Sequence, residues 1–192
     1  KISFNFNMYA GTTGLISPTI GYNPYIGLTL SPNIRVNDKL SFNLSASYNQ
    51  DDGDRGWVNF DHNDNIIIGL RFIKTQENIV SARYLFRNNL SLSIRGRHCW
   101  TGGHYTGFYN LSEEGLLIDN ISYDQNHDFN FNAVNVDMVF QWQFAPGSFA
   151  TLVWKNSIYN ESNMVVKSYS NNFTSTLEAN QLNTVSLKVL YF

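Results

Sequence analysis

Five residues in one stretch of this 192-residue chain have side chains suited to acid–base chemistry: His98, His104, Asp124, His127 and Asp128. An imidazole beside a carboxylate can activate water or a nucleophile. Their spacing follows no catalytic or metal-ligand pattern, and strand register sets no serine beside a histidine. The stretch therefore reads as a solvated loop cluster, with no catalytic residue, metal or cofactor assigned. His62 falls in a separate short turn, expected on the opposite rim. A single cysteine, Cys99, excludes an intrachain disulfide and a cysteine-based zinc site. Asn160-Glu161-Ser162 and Asn172-Phe173-Thr174 have glycosylation-acceptor spacing but read here as polar loop residues. Tyr105, Phe108, Tyr109 and Tyr123 could stack on sugars or dock a partner. The preferred reading is that they fold their loop onto itself.

Charge supplies a second set. Lys39, Arg71, Arg83, Arg95, Arg97, Lys155 and Lys188 fall in the polar phase of alternating segments, with Asp137 the clearest acid among them. Such groups would line the lumen of a barrel. In a closed interior they pair with carboxylates and carbonyls, the plainer reading for a small barrel. In an open one they would favour anionic solutes, because a narrow low-dielectric channel focuses the field. The net charge of the whole chain is only -2, which gives no footprint for nucleic acid.

The elements that must position these residues alternate with period two from end to end. Phe42 and Leu44 oppose Ser41 and Asn43. Val136, Phe140 and Trp142 oppose Asn135, Asp137 and Gln141, Trp154 opposes Lys155, and Leu187 opposes Lys188. The first members of these pairs are the expected lipid-facing set: Phe42, Leu44, Val136, Phe140, Trp142, Trp154 and Leu187. No run of roughly 18 apolar residues suits a membrane helix. Aromatic residues make up 15% of the chain and charged residues only 15%, and the polar phase is mostly Asn, Ser, Thr and Gln. A soluble sandwich or lipocalin-like barrel would instead show mixed charges on its outer face. Tyr48, Phe86, Trp100, Trp142, Phe144, Trp154 and Tyr191 are expected near strand ends, as interfacial girdles.

Connections are expected to alternate in length. Pro32-Asn33, His62-Asn63-Asp64, Arg87-Asn88-Asn89 and Pro146-Gly147-Ser148 read as compact turns. Residues 11–18, 50–56, 74–78, 101–127 and 160–181 read as longer polar loops. The expected fold is thus all-β: a transmembrane antiparallel β-barrel of about ten strands, or the C-terminal ten strands of a larger barrel. Short periplasmic turns and long extracellular loops place it in a bacterial outer membrane, multi-pass, with a periplasmic C-terminus. The whole chain reads as one barrel domain. It opens directly on an alternating segment, Lys1 to Ala10, so its N-terminus reads as mature or as cut from something longer.

Two stretches carry more than pattern. The first runs from Asn78-Ile79-Val80 through Arg87-Asn88-Asn89-Leu90-Ser91-Leu92. The second runs from His127-Asp128-Phe129 through Phe144-Ala145-Pro146-Gly147-Ser148, with Val153-Trp154-Lys155-Asn156 following. Together they resemble the C-terminal barrel domain of unknown function of Bacteroidetes outer-membrane proteins that carry an N-terminal carbohydrate-binding module of the family-nine type. The resemblance covers about Trp57 to the end, and only the strand pattern supports it before that. Members of that family are longer than this chain, so no carbohydrate-binding residue transfers. The resemblance implies a non-enzymatic outer-membrane protein, a pore or accessory in handling glycan-derived solutes. The alternative is a structural or accessory subunit of a larger outer-membrane complex, binding partners through its wall and long loops. The implied partners are outer-membrane lipids including lipopolysaccharide, and other outer-membrane proteins. A hydrolase using the loop histidines is the least favoured class.

Overall fold

The computed structural model describes residues 1–13, 23–61 and 63–192. The chain is all-β: the described residues fold as one antiparallel sheet of nine strands with a single short helix. The strands are β1 (Ile2–Thr13), β2 (Asn23–Arg35), β3 (Leu40–Phe60), β4 (Ile66–Arg87), β5 (Leu90–Leu111), β6 (Leu117–Asp119), β7 (Phe129–Ala145), β8 (Ser148–Ser162) and β9 (Gln181–Leu190). The helix α1 (Tyr169–Leu177) lies between β8 and β9. Each long strand pairs with its sequence neighbour, and β6 is a three-residue addition to the end of β5. The sheet is open. Among the described residues β1 pairs only with β2 and β9 only with β8.

The strands are fewer and longer than their sequence suggests. The segment at Trp57 is the end of β3, and Ile66–Ile73 and Ile79–Phe86 are one strand. Residues 50–56 and 74–78, expected as loops, are ladder-paired within β3 and β4. Polarity there does not end a strand because backbone pairing continues whatever the side chains prefer. Pro32-Asn33 likewise lies inside β2 rather than in a turn. Proline lacks an N–H, and the β2–β3 pairing lapses at Ser31 and Pro32 without a change of register. The turn follows at Val36–Lys39, where Asn37 Oδ1 accepts the N–H groups of Lys39 and Leu40 at 2.9 and 2.8 Å.

Links at one end are short: Val36–Lys39, Asn88-Asn89 and Pro146-Gly147, with Gly147 at φ 77°. The C-terminus closes at this end, where Phe192 N donates to Ser148 Oγ at 3.1 Å. The β5–β7 and β8–β9 links at the other end are long. The link after Phe60 also falls at that end, because β3 runs toward it. Asn63 and Asp64 therefore sit opposite the expected rim, while His62 lies outside the described residues, as does most of the expected loop at 11–18.

Register assigns every side chain to a face. The pairs Phe42↔Ala82, Ala82↔Ile94, Ile94↔Met138, Met138↔Trp154 and Trp154↔Val185 put one row of apolar groups across five strand boundaries. The neighbouring row Ser81↔Arg95, Arg95↔Asp137, Asp137↔Lys155 and Lys155↔Thr184 is polar and points the other way. Among the described residues no second layer covers the apolar half of the first face. Phe4 is 66% exposed and Leu187 68%, so burial of that band supplies no core among them. Most of the buried side chains lie nearer the long-link end, at Ile67, Trp100, Asn132, Ile158 and Asn172, while Ser148 is buried at the short-turn end.

Candidate functional site

The apolar face has two zones. Toward the short-turn end it carries Phe42, Leu44, Val136, Phe140, Trp142, Trp154 and Leu187, all on the side their phase predicts. Aromatic contacts gather at its lower margin: Tyr84 with Phe86, Trp142 with Phe144, and Phe144 with Tyr191. Tyr48, Trp100 and Trp154 are not near strand ends, because their strands run on beyond them.

Above that zone the same face turns polar, at Gln76, Asn78, His98, Asn130, Asn132, Asn156 and Asn183, and α1 docks there. Its sequence is rich in Ser, Thr and Asn, which compete with helix formation. Docking compensates. Asn172 is buried, and its Oδ1 accepts from Asn130 Nδ2 at 2.8 Å and Asn132 Nδ2 at 3.0 Å. Its own Nδ2 donates to the carbonyls of Val166 at 2.7 Å and Ser168 at 3.0 Å. That fills the capacity of the amide. Ser168 caps the helix, its Oγ accepting from Asn171 N. Asn172 read as a loop residue in the sequence, and no period-two or period-3.6 signal marks it.

His98 lies beneath this helix, 4% exposed, with Tyr169 and Phe173 packed edge-on at 5.2 and 5.1 Å between ring centres. Asn78 Nδ2 donates to the Tyr169 hydroxyl at 2.8 Å, which stands 3.0 Å from His98 Nδ1. A neutral ring that accepts the Tyr169 proton at Nδ1 carries its hydrogen on Nε2.

His104 and His127 do not converge on it. His104 Nδ1 meets Asp128 Oδ2 at 2.7 Å, and Asp128 Oδ1 accepts Tyr105 N–H at 2.8 Å, so that carboxylate anchors the loop to β5. His127 stacks on Tyr123, with Nε2 2.7 Å from its hydroxyl. Tyr105, Phe108 and Tyr123 pack on one another and on His127, folding the loop onto itself. Among the described residues no three His, Cys, Asp or Glu side chains gather as a metal would need.

On the polar face Arg95, Arg97, Asp137 and Lys155 come together around a cavity of about 290 Å³ with Asn135 and Ser157. Lys155 Nζ lies 3.7 Å from Asp137 and Arg97 pairs with Glu77. Arg83 and Lys188 share this face nearer the short turns, paired in register with Ser93 and Thr151. Lys39 sits in the turn before β3, its carbonyl accepting Leu85 N–H at 2.8 Å. Arg71 stands apart toward the long-link end, bound to Asp54 and to the Tyr105 hydroxyl at 2.8 Å.

A family model described as a domain of unknown function, DUF5916, matches residues 3–192. The chain belongs to the DUF5916 family. The match reaches well before Trp57, so β1, β2 and most of β3 are as much part of the DUF5916 domain as the stretches that carry the resemblance. No curated protein and no solved structure matches the chain.

Proposed function

We propose that this DUF5916 chain forms wall strands of a transmembrane β-barrel in a bacterial outer membrane. The carrying observation is the uncovered apolar band that crosses all eight long strands on one face, with a polar face behind it. From Val136 to Phe144 the band measures about 27 Å along the strand, or about 21 Å upright at a 40° tilt. That approaches the roughly 25 Å height of the lipid-facing belt of an outer-membrane barrel. The aromatic margin at the short turns suits a membrane interface. In this reading the short turns and C-terminus are periplasmic and the long links extracellular.

The open edges support closure by further strands. In lipid, each unpaired backbone N–H and C=O costs several kcal/mol, roughly enough to exclude an open sheet. Strands of the same protein, joined to β1 and β9, would complete the wall.

The lumen would then carry Arg83, Arg95, Arg97, Lys155 and Lys188 against Glu77 and Asp137, an excess of cations that attracts anions. We read the protein as a pore or accessory for anionic, glycan-derived solutes. The glycan element follows from the resemblance to proteins with a carbohydrate-binding module. Single labels test the reading. A lipid-phase quencher is expected to reach probes at positions 42, 136, 140 and 187 and to miss those at 43, 95 and 137. The reverse pattern would make the apolar face a soluble core.

A further inference from the structure

A cavity on the apolar face lies above the band, on the side away from the polar face. It encloses about 590 Å³ between β4, β5 and the segment leading into α1. Phe72, Trp100, Met164 and Val165 form its apolar lining, and Lys74 and Lys167 its cations. Trp100 spends its indole N–H on Asn130 Oδ1 at 2.8 Å and so offers the cavity only ring surface. Lys74 Nζ rests 5.0 Å from the Phe72 ring centre. Neither lysine forms an ion pair among the described residues. The one carboxylate in the lining, Asp128, is taken up by His104 and Tyr105.

We infer that this cavity binds the phosphorylated sugar headgroup of an outer-leaflet glycolipid. The inference rests on the barrel reading, which sets the height of the cavity. Gly102 pairs with Lys74, six residues beyond the Gly96↔Val80 pair at the top of the band. That is about 20 Å along the strand, or about 15 Å upright at the same tilt. Trp100 lies one row lower. A ligand there stands on the membrane surface with its chains continuing down the band. Two unpaired ammonium groups match phosphate, and the aromatic and aliphatic lining matches sugar faces and the start of acyl chains. A free phosphate would use the lysines and leave that lining in water.

The test uses the full chain in detergent, with bisphosphorylated lipid A as probe and dissociation constants read by native mass spectrometry. The double variant Lys74→Gln, Lys167→Gln is expected to weaken binding roughly thirtyfold. Removing both phosphates from the lipid should do the same, while Lys188→Gln on the other face leaves affinity unchanged. Equal binding by the double variant overturns the site, as does competition by inorganic phosphate at the concentration of the lipid. Quenching of a probe at position 140 in the double variant reports that the wall is intact and lipid-facing. Quenching with unaltered lipid A affinity sinks the site and leaves the barrel standing. Absence of quenching sinks the barrel reading and, with it, the membrane height on which the site depends.

Discussion

Asn172 Oδ1 stands 2.8 Å from Asn130 Nδ2, a bond between a helix and a strand 42 residues earlier in the chain. It joins the only helix among the described residues to the sheet. Three further bonds from the same amide leave it nothing unsatisfied.

Replacing that amide should free α1. Asn172→Leu strands two buried strand amides, at about 1–3 kcal/mol for each unsatisfied group. Amide exchange across residues 169–177 is expected to accelerate, while β7 and β8 stay protected through their ladder. Unchanged exchange would show that α1 is held by other contacts.

A steric lock joins β1 to β2. A Cβ on Gly27 would come within 2.0 Å of the Tyr9 ring, and one on Gly11 within 2.4 Å of the Tyr25 hydroxyl. Tyr9 also donates to Asn49 Oδ1 at 2.6 Å, tying it to β3. Gly27→Ala is expected to cost about 1–3 kcal/mol in denaturant unfolding. Adding Tyr9→Ala should recover part of the loss, since it removes the clash.

Charge on the polar face should set ion preference. If the assembled protein conducts in planar bilayers, Arg95→Glu in the Arg95, Arg97 and Lys155 cluster is expected to shift reversal potentials toward cations. Lys167→Glu on the other face should leave them unchanged.

The sequence makes the faces legible because alternation is a local signal: the seven residues of the apolar phase and the charged residues of the polar phase that lie in strands fall on opposite sides of one sheet, whereas Lys39 lies in a turn. Strand length is not legible in the same way. Residues 50–56 read as a loop because Gln50, Asp51, Asp52 and Asp54 favour water, yet a strand standing in water keeps its ladder and loses only the apolar half of its alternation. Pro32 misleads for a related reason, since it marks a gap in pairing rather than a turn. The helix is hidden because Asn172, Tyr169 and Phe173 act through contacts with β5 and β7, which no window of sequence around α1 contains. Four of the five catalytic-type residues divide for a similar reason: His98 faces α1, His104 holds Asp128, and His127 is packed among tyrosines.

The register shifts fall at Asp51/Asp54, Trp57/Asn59 and Leu70/Arg71 near one rim, and at Leu85/Arg87 and Gln143/Ala145 near the other. Between them the alternation is unbroken. Inserting or deleting one residue there would exchange the two faces for the rest of the strand, whereas the same change beyond a shift alters only a rim. Length variation among relatives should therefore collect at the two ends and leave a middle of nearly constant size, so that the family can diversify its outer surface without redesigning its wall.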